Sequence, residues 1–289
     1  MRVLVMLLVL TGHRAYAADQ GSAPLRFGVL AAAHVGRLEQ PTLNESSGVV
    51  ASRNQPGVLW THNDSGNAST IYAVGPTGIA LGEFTVATPN TDWEDIAIDN
   101  RGHLYLADFG NNGGQRPSVA VHRLIEPTVA PLVASRAVAD PGSALAVEVT
   151  WTLTYPGLAF DCEALVVHDG CGWLIDKRVG EQAGLWRFRL DGPQAQVLEA
   201  VVRLPIRTPV TGADISSDGR RLAVIGYVGL SVFTLAGDLP SAATATPCHI
   251  GFLQPRIEAC CFVPGGVLAT SEDRDVYLFS DALIAGSSP

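Results

Sequence analysis

Five short segments of this chain begin alike, and each carries a carboxylate at nearly the same place. They read Glu45-Ser-Ser-Gly-Val-Val, Glu94-Asp-Ile-Ala-Ile-Asp, Glu163-Ala-Leu-Val-Val-His, Thr211-Gly-Ala-Asp214-Ile-Ser and Glu258-Ala-Cys-Cys-Phe-Val. If they converge, Glu45, Glu94, Glu163, Glu258 and Asp214 form a ring that must bind a cation, share protons or enclose a counter-charge. Oxygen ligands without thiolates suit Ca²⁺. A second set ends the apolar run that follows each segment: His62, Asn63 and Asp64, then Asp108 with Asn111 and Asn112, Lys177, Tyr227, and Glu272 with Asp273. Asp92, Asp95 and Asp161 crowd the same rim, and Lys177 is the only lysine in the protein.

Two kinds of chemistry fit these residues. A divalent ion held by the ring would polarise an ester, lactone or phosphoester oxygen and lower the pKa of a bound water. Asp64 or Asp108 would then act as base, with Lys177 stabilising the developing oxyanion. Alternatively, the carboxylates hold backbone N–H groups and keep neighbouring elements in register. Asp64-Ser-Gly and Asp108-Phe-Gly-Asn-Asn are also ordinary Asx turns, and a rim histidine such as His62 is commonly a hydrogen-bonded neighbour.

The elements that must position these residues are strands. Each segment opens a strand–turn–strand–turn–strand unit repeated about every 45 to 70 residues, the signature of a propeller blade. Blade one is expected over Asn44–Val86, and blade two opens at Asp95–Asp99 and ends at Leu145–Tyr155. Blade three runs from Glu163 to Val197–Leu204, blade four from Ala213 to His249–Leu253, and blade five from Glu258 to Val276–Phe279. Blade five lacks a fourth strand, and Arg26–Leu38 can supply it, closing the ring and removing an exposed edge. An all-β propeller of five blades follows. Six blades would require a degenerate unit hidden in residues 126–155, a stretch whose Pro/Ala/Ser-rich part reads as a surface excursion.

Composition narrows the field. The 289 residues carry a net charge of −9, which argues against a nucleic-acid partner. Residues 1–17 read as a signal peptide, with Arg2, an apolar run over Val3–Leu10 and a small-x-small site at Ala15-Tyr16-Ala17. Residues 18–289 then form one exported domain, periplasmic or secreted, without a membrane span and expected to be a monomer. Of the five cysteines, Cys248 with Cys260 or Cys261 is the more plausible pair, although most read as buried small residues. The chain contains no G-x-S-x-G elbow, P-loop or H-E-x-x-H.

The runs Glu45-Ser-Ser-Gly, Trp60-Thr-His-Asn-Asp-Ser-Gly, Asp92-Trp-Glu-Asp-Ile-Ala, Asp161-Cys-Glu-Ala-Leu and Thr211-Gly-Ala-Asp-Ile-Ser-Ser-Asp-Gly resemble a group of exported bacterial β-propellers. That group is distantly similar to phytase-like and regucalcin/gluconolactonase-like propellers. The resemblance covers about residues 42–280 and implies Ca²⁺ or another divalent ion at an acidic channel mouth. Phytase-like sites surround phosphate with several Lys and Arg, whereas only Lys177 and Arg178 lie near here. Glu45, Asn63, Asp64 and Glu94 could imitate a lactonase-type ligand set. Three functions stay open: a propeller holding Ca²⁺ and a small polar ligand, a metal-dependent hydrolase, and a protein-interaction platform with structural carboxylates.

Overall fold

The computed structural model describes residues 26–27, 32–129, 143–252 and 256–286. The proposed signal peptide and most of the Pro/Ala/Ser-rich excursion lie outside the described residues. Five antiparallel blades stand in a ring, as the repeat predicts. Blade one is Ser46–Ala51, Leu59–Asn63, Thr70–Val74 and Ala80–Thr85; blade two is Trp93–Ile98, His103–Asp108, Ser118–Ile125 and Val147–Thr154. Blade three is Cys162–His168, Cys171–Asp176, Gly184–Arg189 and Glu199–Arg203; blade four is Val210–Ile215, Arg221–Gly226, Gly229–Thr234 and Cys248–Gly251. Blade five is Ile257–Val263, Gly266–Ser271 and Asp275–Ser280, completed by Ala33–Arg37 from the start of the chain.

The N-terminal segment does more than the sequence suggests. Only Ala33–Arg37 joins blade five, while Arg26–Phe27 pairs in parallel with Cys248–Gly251 on the outside of blade four. Similarly, Ala195–Val197 leaves blade three and pairs in parallel with the outer strand of blade two. The outer edges of blades two and four are thus covered, which hides backbone groups that would otherwise invite another chain.

Burial explains the apolar runs. Strands such as Leu59–Asn63 and Thr70–Val74 are buried along their whole length, because each blade is covered on both faces by its neighbours. Outer strands such as Ala80–Thr85 are only partly covered, and their sequences are more polar. Five hydrophobic clusters fill the five blade-to-blade interfaces, one of them between blades five and one around Leu38, Val49, Tyr72, Leu268 and Val276. The inner strands contact one another around the full circle. Gly48 permits one such approach: a Cβ there would stand 2.6 Å from His62 Nε2 and 2.7 Å from the Ile96 amide nitrogen.

The five cysteines form no disulfide, correcting the expected pairing of Cys248. Cys260 and Cys261 are buried in the inner strand of blade five, while Cys248 stands on the outer strand of blade four. Cys162, Cys260 and Cys261 are the buried small residues that the composition suggested.

Candidate functional site

One register irregularity recurs in every blade and builds the site. The pairing of first and second strands slips between Ser46 and Gly48, Trp93 and Asp95, Cys162 and Ala164, Val210 and Gly212, and Ile257 and Ala259. The bulged residue is therefore Ser47, Glu94, Glu163, Thr211 or Glu258. A bulge re-aims its side chain and bends the strand, and here it delivers three glutamates to one end of the channel. The two hydroxyl-bearing members serve packing instead: Ser47 Oγ donates to the Glu94 carbonyl at 3.0 Å, and Thr211 Oγ1 to the Ile257 carbonyl at 3.2 Å.

This frame corrects the register of blade one. Glu45 is the counterpart of Asp92 and Asp161, the residues immediately ahead of their inner strands, rather than of Glu94. The carbonyls of Glu45 and Asp161 accept from the amides that follow the second strand, those of Asp64 and Lys177, at 3.1 and 2.9 Å. Glu45 still faces the mouth, where its carboxylate accepts from Asn67 Nδ2 at 2.8 Å.

The mouth is a cavity of about 160 Å³ lined by six carboxyl groups, those of Glu45, Asp64, Glu94, Glu163, Glu258 and Glu272, with Ser47, Asn112, Lys177 and Tyr227. Within and beside it, Asp64, Asp92 and Glu94 each offer an oxygen within 4.8 Å of the others, and so do Glu94, Asp161 and Glu163. Glu94 belongs to both groups. Only 4% of it is exposed, and among the described residues its carboxylate has no hydrogen-bond donor. Gly110 leaves room for this cluster, since a Cβ there would collide with the carboxylates of Glu94 and Asp92.

Crowding and burial set the protonation of the mouth. Burial first, then the carboxylates of Glu163, Asp64, Asp92 and Asp161, push Glu94 well above the usual range. Glu163 rises to about 7 through burial, although Lys177 opposes the shift, and Glu258 rises to about 8 through burial and the neighbouring Glu163 and Glu272. Asp64 and Asp161 are raised as well, again mainly by burial. Lys177 pairs with Glu163 and lies 5.4 Å over the Tyr227 ring. The Glu163 charge is the main cause raising its amine, against the effect of burial.

Several predicted site residues lie elsewhere. Asp214 is not in the mouth: it is buried beneath it, accepting from the Ile215 and Phe262 amides at 2.8 Å each, with Arg53 at 3.9 Å. Asp95 acts the same way, accepting from the Ile96 and Leu165 amides at 2.8 Å each and tying blade two to blade three. Asp108 does not line the mouth either, since its carboxylate takes Arg116 at 2.7 Å and faces His122 at 3.9 Å. Asn63 caps blade one by accepting from the Asn44 and Glu45 amides. His62 is fully buried, its Nδ1 bonded to the Asn63 carbonyl, and burial lowers it to about 4. Glu272 reaches the mouth but is paired with Arg256. Asp92 and Asp161, expected at the rim but not in the ring, are members of the cluster, each standing one residue before an inner strand.

No protein-family model matches the chain, and no curated protein matches it. Among solved structures, it is similar to a chain in the crystal structure of a nidogen/laminin complex, with a TM-score of 0.50 at 13% identity, covering 84% of this chain and 77% of that one. At that identity the likeness speaks for the fold alone. Fold and site together define a five-bladed β-propeller with a carboxylate cluster at one end of its channel. No helix among the described residues is long and apolar enough to cross a membrane.

Proposed function

We propose that this protein is an exported, monomeric β-propeller that binds a divalent cation, Ca²⁺ first, among Asp64, Asp92, Glu94, Asp161 and Glu163, and presents it to a small polar ligand at the mouth. Glu94 carries the reading. A nearly buried carboxylate shared between two oxygen clusters and lacking any donor is costly unless a cation or a proton meets it. The donor set is all oxygen, as a hard cation prefers, and Asn112 and Tyr227 leave polar groups for a ligand beside it. The bound ion would supply Lewis acidity and a net attraction for anionic or hydroxyl-bearing groups. Around it, Lys177 offsets the charge of Glu163, and the backbone amide of Asn111 holds Asp161 by donating at 2.8 Å. Export rests on the character of residues 1–17. The hydrolytic reading is weaker, because Asp108 lies outside the cavity and the Lys177 amine is engaged by Glu163.

The test is the metal content of the purified mature protein, followed by melts with EDTA and with added Ca²⁺. About one equivalent of metal and a melting rise on adding Ca²⁺ support the site. No bound metal and no shift with Ca²⁺, Mg²⁺ or Mn²⁺ would reduce the cluster to a proton-sharing structural feature.

A further inference from the structure

At the opposite end of the channel, the turns that follow the inner strands open onto a larger cavity of about 710 Å³. Its walls come from four blades, and five arginines line it: Arg53, Arg101, Arg123, Arg187 and Arg189. Three are answered by carboxylates of their own blades. Arg123 bonds Glu148 at 3.1 Å, Arg187 bonds Glu199 at 2.7 Å, and Arg189 bonds Asp191 at 2.9 Å.

The other two differ. Arg53 reaches from blade one across the axis to donate to the Ile215 carbonyl of blade four at 3.0 Å. Its Nε–H is buried without an acceptor, and its closest carboxylate, Asp214, stands at 3.9 Å and is already bonded to two amides. Arg101 sits exposed on a turn of blade two, and its guanidinium meets no acceptor among the described residues. The remaining acidic groups of the lining are spoken for. Asp99 accepts from His103 and from the Tyr105 hydroxyl, and Asp169 faces His168 at 3.2 Å. Arg53 and Arg101 therefore line the cavity with no carboxylate at hydrogen-bond distance, and its size falls in the range of small-molecule sites, roughly 300–1,000 Å³.

We propose that this cavity is a second binding site, for a small multiply charged oxyanion such as a phosphate ester or a polycarboxylate. Arg53 would grip it at the floor and Arg101 at the rim. A guanidinium presents a planar fork of donors that matches carboxylate and phosphate oxygens, and a partly desolvated arginine with no carboxylate at hydrogen-bond distance gains most from one. The protein as a whole carries a net charge of −9 and three of the five arginines are paired, so the attraction for an anion at this face rests on Arg53 and Arg101. The site is independent of the ion proposed for the mouth.

Calorimetry with inorganic pyrophosphate and with citrate tests the proposal, on protein stripped of metal by EDTA and then dialysed free of the chelator, so that no metal at the mouth bridges an anion and no other polycarboxylate competes. Saturable binding is expected with at least one of the two probes, retained in Glu94→Gln and weakened about tenfold in Arg101→Ala. Arg53→Met should weaken it further, but it also strips Asp214 of its counter-charge, so Arg101→Ala, at an exposed position, decides. No heat from either probe at about 10 mM, well beyond the affinity of an ordinary small-molecule site, would overturn the proposal. So would binding unchanged in Arg101→Ala, or binding lost in Glu94→Gln.

Discussion

Replacing Glu94 with glutamine separates an ion site from a structural carboxylate ring, and its effect can be worked out beforehand. The side chain keeps its size, and in the metal-free protein burial and four neighbouring carboxylates push Glu94 well above the usual carboxylate range, toward its neutral form. Ionising it beside even one charged neighbour within 4.8 Å would cost about 3.5 kcal/mol at an effective dielectric of 20. Without metal, near neutral pH, Glu94→Gln should therefore melt above the parent protein, because Glu94 is ionised in the unfolded parent and must give up that charge on folding, whereas glutamine carries none. With Ca²⁺ at 100 times its dissociation constant, the parent should gain about 2.7 kcal/mol, or about 5–10 °C in Tm. Losing the ligand common to both clusters should weaken binding about 100-fold, leaving a gain of about 0.4 kcal/mol and a shift of about 1 °C at the same Ca²⁺ concentration. Paired melts with EDTA and with Ca²⁺ give all four values. A Ca²⁺ shift preserved in the variant would refute the reasoning, as would a variant that is destabilised in EDTA, because Glu94 would then be holding something other than an ion.

Further outcomes follow from the same geometry. A carboxyl raised on folding contributes stability at low pH and loses that contribution as the pH climbs through its folded value. Glu163 at about 7 and Glu258 at about 8 should therefore make the EDTA-treated protein progressively less stable between about pH 5 and pH 8, with Ca²⁺ restoring the loss; denaturant melts across that range check this. Asp95→Ala should cost about 2–5 kcal/mol by leaving the Ile96 and Leu165 amides buried without an acceptor, while the Ca²⁺ shift survives in the folded fraction. Lys177→Met should tighten Ca²⁺ binding about fivefold in calorimetry at pH 8, because it removes a cation from the ion's surroundings; unchanged or weaker binding would mean that the amine does not face the ion.

How much of this was legible beforehand depended on periodicity. Blade count and ring closure followed from strand-length apolar runs and from one strand missing at the end, both of which are local counts. Details of register were harder. Glu94, Glu163 and Glu258 line the mouth because each occupies the bulge, whereas Glu45 was aligned with them by residue type when Ser47 holds that position. A bulge adds one residue to one strand, and sequence spacing alone does not reveal which residue is unpaired. Asp214 misled for a related reason. It stands three residues past the bulged Thr211, deep enough to meet the Phe262 amide of the next blade rather than the mouth. Asp108 ends its strand just as Asn63 does, yet Arg116, eight residues later, folds back and claims it.

The strand Ala33–Arg37 has a kinetic meaning beyond closing a sheet. It pairs with Asp275–Ser280, so the outermost pairing within blade five joins stretches more than two hundred residues apart in sequence. During synthesis, blades one to four can assemble in order from neighbouring segments, but the N-terminal strand, made first, must wait for blade five to emerge. Contacts this distant form slowly, because loop closure precedes any reward. Until they form, Asp275–Ser280 offers unsatisfied backbone to any other unfinished copy, which makes domain exchange between nascent chains the characteristic hazard of this architecture.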